Sequence, residues 1–160
     1  IGQSDSTTVN LRLEDSAERE GFFDLPDGLL NTLFEGQPKV LPAGEEAYVY
    51  NWDFPVNWYL GPGQTEIALW GYFPHMHQYG VSQRVRVLDG EGNEVACIGE
   101  VPSWDFDWQL YYFLQQPLML QAGQRIEISC TYDTTLAEDG IWPGWGTYNE
   151  MCLAGLYLVP

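Results

Sequence analysis

The chain contains two histidines, and both lie in the segment Phe73-Pro74-His75-Met76-His77. On a β-strand, residues i and i+2 point to the same face, with Cα atoms roughly 6.5 Å apart. Two imidazoles at this spacing can lean together and bind one metal ion. The same spacing also suits two hydrogen-bonded polar residues at a strand end. The pair therefore leaves two interpretations open, a metal site and a structural pair.

A metal site built on this pair needs a further ligand, for which the chain offers carboxylates, three cysteines and three methionines. Met76 points to the opposite strand face from its histidine neighbours. Met119 lies in an apolar stretch and is expected to fill the core. Met151 lies between Glu150 and Cys152, where an apolar final strand begins. A methionine in that setting is more often a core residue than a ligand, so both roles stay open for Met151.

Length and composition predict one domain with a hydrophobic core, since 45% of the 160 residues are hydrophobic. Six Lys and Arg residues stand against 23 Asp and Glu residues, which gives a formal net charge of -17. So acidic a surface repels nucleic acid and anionic lipid, and neither is expected as a partner. The sequence has no apolar run of about 18 residues, so we expect no insertion into a membrane.

The cysteine count is odd, with Cys97, Cys130 and Cys152 present, so at least one thiol is unpaired within the chain. One disulfide and one buried thiol is the simplest arrangement. A disulfide predicts an oxidising compartment, and we expect a secreted, periplasmic or extracellular protein. The chain begins at Ile1 without a signal-peptide pattern, as expected of a mature product or a piece of a longer chain.

The pattern along the chain predicts an all-β domain. Residues 1–20 are polar and indicate a lead-in or linker, whereas residues 21–160 alternate short apolar runs with Gly, Pro and Asp. Strands are predicted near residues 46–52, 65–77, 83–88, 94–101, 111–119, 125–132 and 153–158. One short helix is predicted within residues 25–34, and a hairpin over residues 84–95. We expect an antiparallel, jelly-roll-like β-sandwich of about eight strands.

Two segments resemble the copper type II, ascorbate-dependent monooxygenases, which include peptidylglycine α-hydroxylating and dopamine β-monooxygenases. The stretch Phe73-Pro74-His75-Met76-His77-Gln78-Tyr79-Gly80 is similar to the family's HxHxxG segment. The stretch from Cys130 to Glu150-Met151-Cys152, with the following Leu156-Tyr157-Leu158, resembles the family's cysteine-to-Glu-Met-Cys segment in order and spacing. The resemblance covers about residues 40–160.

This resemblance implies the catalytic half of such an enzyme, a jelly-roll-like sandwich that binds one copper ion through His75, His77 and Met151. It also implies a disulfide between Cys130 and Cys152, which leaves Cys97 as the unpaired thiol, most simply a buried small hydrophobic residue. A thioether is a soft donor that favours Cu(I), and imidazole accepts either oxidation state. Three protein ligands leave a coordination position open, and the family uses this copper to hydroxylate C–H bonds.

The chain also departs from the family. Complete members bind a second copper ion with three histidines in a separate N-terminal half, and this chain has no histidines left for that site. An electron-donor domain or subunit that carries the second copper is therefore an expected partner. Peptidylglycine enzymes have an arginine where this chain has Phe73, and a tyrosine where it has Gly155. Amidation of peptides is thus not expected.

Four of the seven tryptophans are candidates for packing or for the metal site. Core and loop packing is expected for three of them, namely Trp52, Trp58 and Trp70. Trp145 and Tyr148 closely precede Met151, and together with Phe73 they are predicted to line the metal site. The aromatic residues could alternatively form a subunit interface.

The sequence and the family resemblance leave three alternative functions open. The first is a copper-dependent monooxygenase domain that acts on C–H bonds with an external electron donor. The second is a non-catalytic copper-binding module for storage or delivery. The third is a structural subunit of an extracellular assembly.

Overall fold

A computed structural model of the chain describes residues 6–13 and 15–160. Its strands are β1 (Phe22–Asp24), β2 (Tyr48–Pro55), β3 (Glu66–His75), β4 (Gly80–Leu88), β5 (Glu94–Val101), β6 (Tyr112–Gln121), β7 (Arg125–Tyr132) and β8 (Leu153–Val159). They form two four-stranded sheets, ordered β1-β8-β3-β6 and β2-β7-β4-β5. All of these pairings are antiparallel. The predicted all-β antiparallel sandwich is confirmed.

The alternation of side chains explains how the two sheets enclose one core. Along β7, Ile126, Ile128, Cys130 and Tyr132 are buried, and the residues between them are partly exposed. Successive residues of a strand point to opposite faces, so this pattern turns every second side chain toward the other sheet. The core therefore lies between the sheets, with residues from both in one cluster.

The helical segments are short. Helix α1 (Gly28–Phe34) lies within the range predicted for a helix. Asp27 caps it, because its carboxylate accepts a hydrogen bond of 3.0 Å from the backbone N–H of Leu30. A 3-10 helix, Val56–Tyr59, was not predicted. Among the described residues, no helix is long and apolar enough to cross a membrane.

The predicted hairpin over residues 84–95 is formed by β4 and β5. Asp89 closes the turn, since its Oδ1 accepts hydrogen bonds from the backbone N–H groups of Glu91 (2.9 Å) and Asn93 (2.8 Å). Gly92 adopts φ 87°, a conformation that glycine reaches without steric cost.

The strand predicted over residues 65–77 ends two residues too late. β3 ends at His75, and the backbone N–H of His77 donates to the Glu150 side chain instead of to a neighbouring strand. Strand β1 was not among the predicted strands, because three residues are too short to show an alternation.

Two burial predictions were wrong. Cys97 is exposed on β5, and Met119 is exposed on β6. Both strands lie at sheet edges, and Met119 faces away from the core while its neighbour Leu120 faces into it. Of the tryptophans expected in core and loop packing, Trp58 is exposed in the 3-10 helix, where its ring stacks on that of Phe54 with centroids 5.6 Å apart. Trp70 is exposed on the outer sheet face. Trp52, in contrast, is half-buried and packs against the core.

The described residues between 6 and 20 form neither helix nor strand. Arg19 reaches the other end of the chain, where its guanidinium donates to the backbone carbonyl of Pro160 over 3.4 Å. Residues 1–5 and residue 14 of the predicted lead-in lie outside the described residues. The boundary proposed near residue 20 stays a prediction.

Candidate metal centre

The two histidines lie where β3 ends, next to the start of β8. His75 is the last residue of β3 and pairs with Leu153, the first residue of β8. His77 follows just beyond the strand, and its ring centroid lies 5.1 Å from that of His75, with the rings nearly perpendicular. Met151 precedes Leu153 by two residues. Antiparallel pairing of β3 with β8 thus brings the C-terminal methionine to the same end of the sheet as the histidines.

The ring of His75 is held by Gln109. The His75 Nδ1 atom lies 2.5 Å from Gln109 Oε1, and Gln109 Nε2 donates to the backbone carbonyl of Phe106 over 2.6 Å. Because the amide nitrogen is used on a carbonyl, the amide oxygen is left to accept from Nδ1–H. Burial lowers the pKa of His75 and so favours the neutral imidazole, whereas the Gln109 hydrogen bond opposes this shift by raising the pKa. His75 therefore has an unprotonated Nε2 atom.

The ring of His77 is held by a backbone carbonyl. Its Nδ1 atom lies 2.9 Å from the carbonyl oxygen of Asn149, which can only accept a hydrogen bond. Nδ1 therefore carries the proton, and the Nε2 lone pair is available. Histidines that bind metals almost always donate their other ring N–H to such an acceptor. Both histidines have this second interaction.

Met151 is buried and has a fixed backbone. Its N–H donates to Glu150 Oε2 over 3.2 Å, and its carbonyl accepts from the Tyr132 hydroxyl over 2.8 Å. The adjacent Cys152 forms a disulfide with Cys130 of β7, the pair that the family resemblance implies. This bond ties the start of β8 to the other sheet. The position of Met151 is thus restrained from both sheets.

A cavity of about 350 Å³ contains the three candidate ligands. Its lining residues are Leu25, Phe73, His75, His77, Gln109, Trp145, Met151 and Leu153. Phe73 and Trp145 thus line the same cavity as the candidate ligands, whereas Tyr148 lines a separate one beside Gln78 and Asp133. Phe73 also stacks on His75, with ring centroids 5.8 Å apart.

A larger cavity of about 570 Å³ lies on the outer sheet face, beside Trp70, Met119 and Tyr157. None of the candidate ligands lines it. We locate the candidate site by its donor atoms rather than by cavity size, because metal binding needs lone pairs and not volume.

The donor set is soft. Within residues 6–13 and 15–160, no three His, Cys, Asp or Glu side chains lie close enough together to hold a metal ion. In the described part of the chain, the further candidate ligand beside the two histidines is therefore the Met151 thioether, and not a third nitrogen, oxygen or thiolate. Two imidazoles and a thioether suit Cu(I) better than Zn²⁺, so these residues fit copper.

Sequence reasoning missed two residues that support the site. Gln109 gave no signal, because an irregular loop brings it to His75 from 34 residues away. Glu150 was noticed only as a neighbour of Met151. It is fully buried, and burial raises the pKa of its carboxyl group to about 7, opposed by hydrogen bonds from His77, Tyr79 and Met151.

Comparison with known proteins places the chain in a family. A family model described as "Copper type II ascorbate-dependent monooxygenase, C-terminal domain" matches residues 62–159. DBH-like monooxygenase protein 1 of Gallus gallus is 31% identical over 141 residues, which are 87% of this chain and 20% of that protein. Putative DBH-like monooxygenase protein 2 of Homo sapiens is 28% identical over 100 residues, which are 62% of this chain and 20% of that protein.

These matches span about one-fifth of the length of either relative. The family match includes His75, His77 and Met151, together with both cysteines of the disulfide. The chain belongs to the copper type II ascorbate-dependent monooxygenase family, with its matched region corresponding to the C-terminal domain.

Proposed function

We propose that this domain binds one copper ion through His75, His77 and Met151, as part of a monooxygenase that hydroxylates C–H bonds. One observation carries the proposal. Each histidine uses Nδ1–H on a fixed acceptor, which leaves both Nε2 lone pairs available beside a cavity that Met151 also lines. This is the arrangement that a metal-binding histidine pair requires.

When bound, copper supplies the one-electron redox chemistry that activates dioxygen toward a C–H bond. The protein residues hold the ligands and shape the surroundings. Gln109 and the Asn149 carbonyl orient the imidazoles by accepting their Nδ1–H groups. The side chains of Phe73 and Leu153 make part of the cavity wall apolar. Trp145, which is 73% exposed, stands on the solvent side of the same cavity.

The reaction needs electrons that this domain does not supply by itself. His75 and His77 are the chain's only histidines, so a second site of three histidines cannot be formed by this sequence. We propose an electron-donor domain or subunit that carries the second copper. The Cys130–Cys152 disulfide supports a secreted, periplasmic or extracellular location, because such bonds persist in oxidising compartments.

The test is Cu(I) affinity, measured by competition with a chromophoric Cu(I) chelator. We expect the wild-type protein to bind one copper ion per chain. His75→Ala and Met151→Ala should each weaken Cu(I) binding by more than about 10-fold. Removing only a hydrogen-bond partner of a metal ligand already costs about 10-fold or more, so removing the ligand itself should cost at least as much. Met119→Ala is the matched control, because this methionine is exposed on the outer sheet face.

Two results would contradict the copper site. The first is a wild-type protein that takes up no copper. The second is a Met151→Ala protein that binds Cu(I) as tightly as Met119→Ala does while remaining folded by circular dichroism.

The same histidine count favours a second candidate, a non-catalytic module that stores or delivers copper. Oxygen uptake separates the two functions. A catalytic domain consumes oxygen when copper-loaded protein receives ascorbate and a hydroxylatable substrate, whereas a storage module binds Cu(I) without oxygen uptake.

A further inference from the structure

The side chain of Glu150 joins the two chain segments that carry the candidate ligands. Its Oε2 atom accepts from the backbone N–H groups of His77 (2.9 Å) and Met151 (3.2 Å). Its Oε1 atom accepts from the backbone N–H of Tyr79 over 2.8 Å. One carboxylate thus bridges segments that lie more than 70 residues apart in sequence.

The contacts of Glu150 are of the kind that only a carboxylate makes. Both of its oxygens are acceptors, and three N–H donors face them. A glutamine of the same shape would present one oxygen and one NH2 group, so at least one backbone donor would face another donor. Glu150 is fully buried, and burying a carboxylate is costly unless such donors compensate for lost water. Because burying a carboxylate costs free energy, we look for a contact here that an apolar side chain could not make.

The bridged atoms belong to the candidate ligands themselves. Two of the three donors are the backbone N–H groups of His77 and Met151. The third is the backbone N–H of Tyr79, which lies in the turn closed by the hydrogen bond from Gly80 N–H to the His77 carbonyl. The Met151 carbonyl is fixed separately by Tyr132. With both main-chain polar groups of Met151 held, the position of its side chain relative to His77 depends on Glu150.

We propose that Glu150 is a positioning residue that fixes His77 and Met151 relative to one another before copper binds. This inference rests on the proposed copper site. Its role is distinct from that of the disulfide, which ties Cys152 to the other sheet, because Glu150 accepts directly from the backbone N–H of His77.

The test compares Glu150→Gln with Asp27→Asn. Asp27 is the matched control, because it is also a buried carboxylate that accepts backbone N–H groups, from Leu30 and Cys152, without bridging the ligands. We expect Glu150→Gln to weaken Cu(I) binding by about 10- to 100-fold, as is typical when a partner of a metal ligand is lost. X-ray absorption of the Cu(I) protein should also lose its copper–sulfur contribution. Asp27→Asn should keep both properties.

A second measurement covers the case in which Glu150→Gln fails to fold. In the metal-free wild-type protein, hydrogen exchange should show the amides of His77, Tyr79 and Met151 protected together. Fast exchange of these amides until copper is added would overturn the inference, as would a folded Glu150→Gln protein with unchanged affinity and sulfur scattering. Failure of the copper site is distinguishable, because then the wild-type protein itself shows no copper–sulfur signal.

Discussion

At the scale of single residues, the fixed acceptors of the two imidazoles matter more than the spacing of the histidines. An HxH pair on a strand has several uses, but Gln109 and the Asn149 carbonyl each take up one ring N–H. The sequence could show the donors His75, His77 and Met151, because their types and order are visible in it. It could not show Gln109 or the role of Asn149, because irregular loops with no periodic pattern bring them to the site.

Asp27 gives a prediction about pH. Burial raises the pKa of its carboxyl group above the ordinary value of 3.8, against hydrogen bonds from Leu30 and Cys152. Above pH 3.8 the folded protein therefore retains this proton more readily than the unfolded chain does. The Asp27 contribution to stability is favourable in acid and is lost as the pH rises through the raised pKa.

The measurement is urea unfolding of metal-free wild-type and Asp27→Asn proteins at a series of pH values. Asparagine also caps helices well, so the cap itself should survive. We expect the free energy of unfolding of the wild type, relative to the variant, to fall as the pH rises from 3.8 toward neutral. A difference that grows over this range would contradict the assignment.

At the scale of elements, alternation identified most of the sandwich. It predicted β7 over its full length, because side chains there switch between core and surface at every residue. It misplaced the end of β3, because the Glu150 carboxylate removes the His77 N–H from the sheet and no pattern near residue 77 reveals this contact. It also placed Met119 in the core, because an apolar stretch does not show which face of an edge strand is covered.

The disulfide gives a prediction at this scale. Cys130 and Cys152 enclose a loop with a sequence separation of 22 residues and join the two sheets. Replacing both with serine should lower the free energy of unfolding by about 3 kcal/mol, since the unfolded chain gains conformational freedom. Denaturant unfolding measures the loss. Cys97→Ser, at an exposed position, is the control and should change stability little; equal losses in both proteins would refute the expectation.

At the scale of the whole molecule, the charge dominates. A net charge of -17 on 160 residues makes the folded state repel itself. A few ion pairs, including Arg84–Glu94 and Arg84–Glu100, lie at the surface, where such pairs contribute little. Self-repulsion should therefore outweigh these attractions.

Salt should then stabilise the metal-free protein. Raising sodium chloride from about 0.01 M to about 0.15 M shortens the screening length from about 30 Å to about 8 Å. We expect the midpoint of thermal unfolding to rise over this range, as measured by circular dichroism. Potassium chloride should give the same rise, which separates screening from binding of one particular cation. A midpoint that falls with salt would mean that the ion pairs outweigh the repulsion.

Because His75 pairs with Leu153, the positions of the candidate ligands do not depend on the length of the loop between β7 and β8. Met151 is held at its own backbone and by the disulfide next to it, and the Asn149 carbonyl is held by His77. The exposed stretch around Leu136 and Glu138 takes no part in these contacts. Related chains could thus lengthen or shorten this stretch and acquire a different outer surface, while the donor atoms keep the same relative positions.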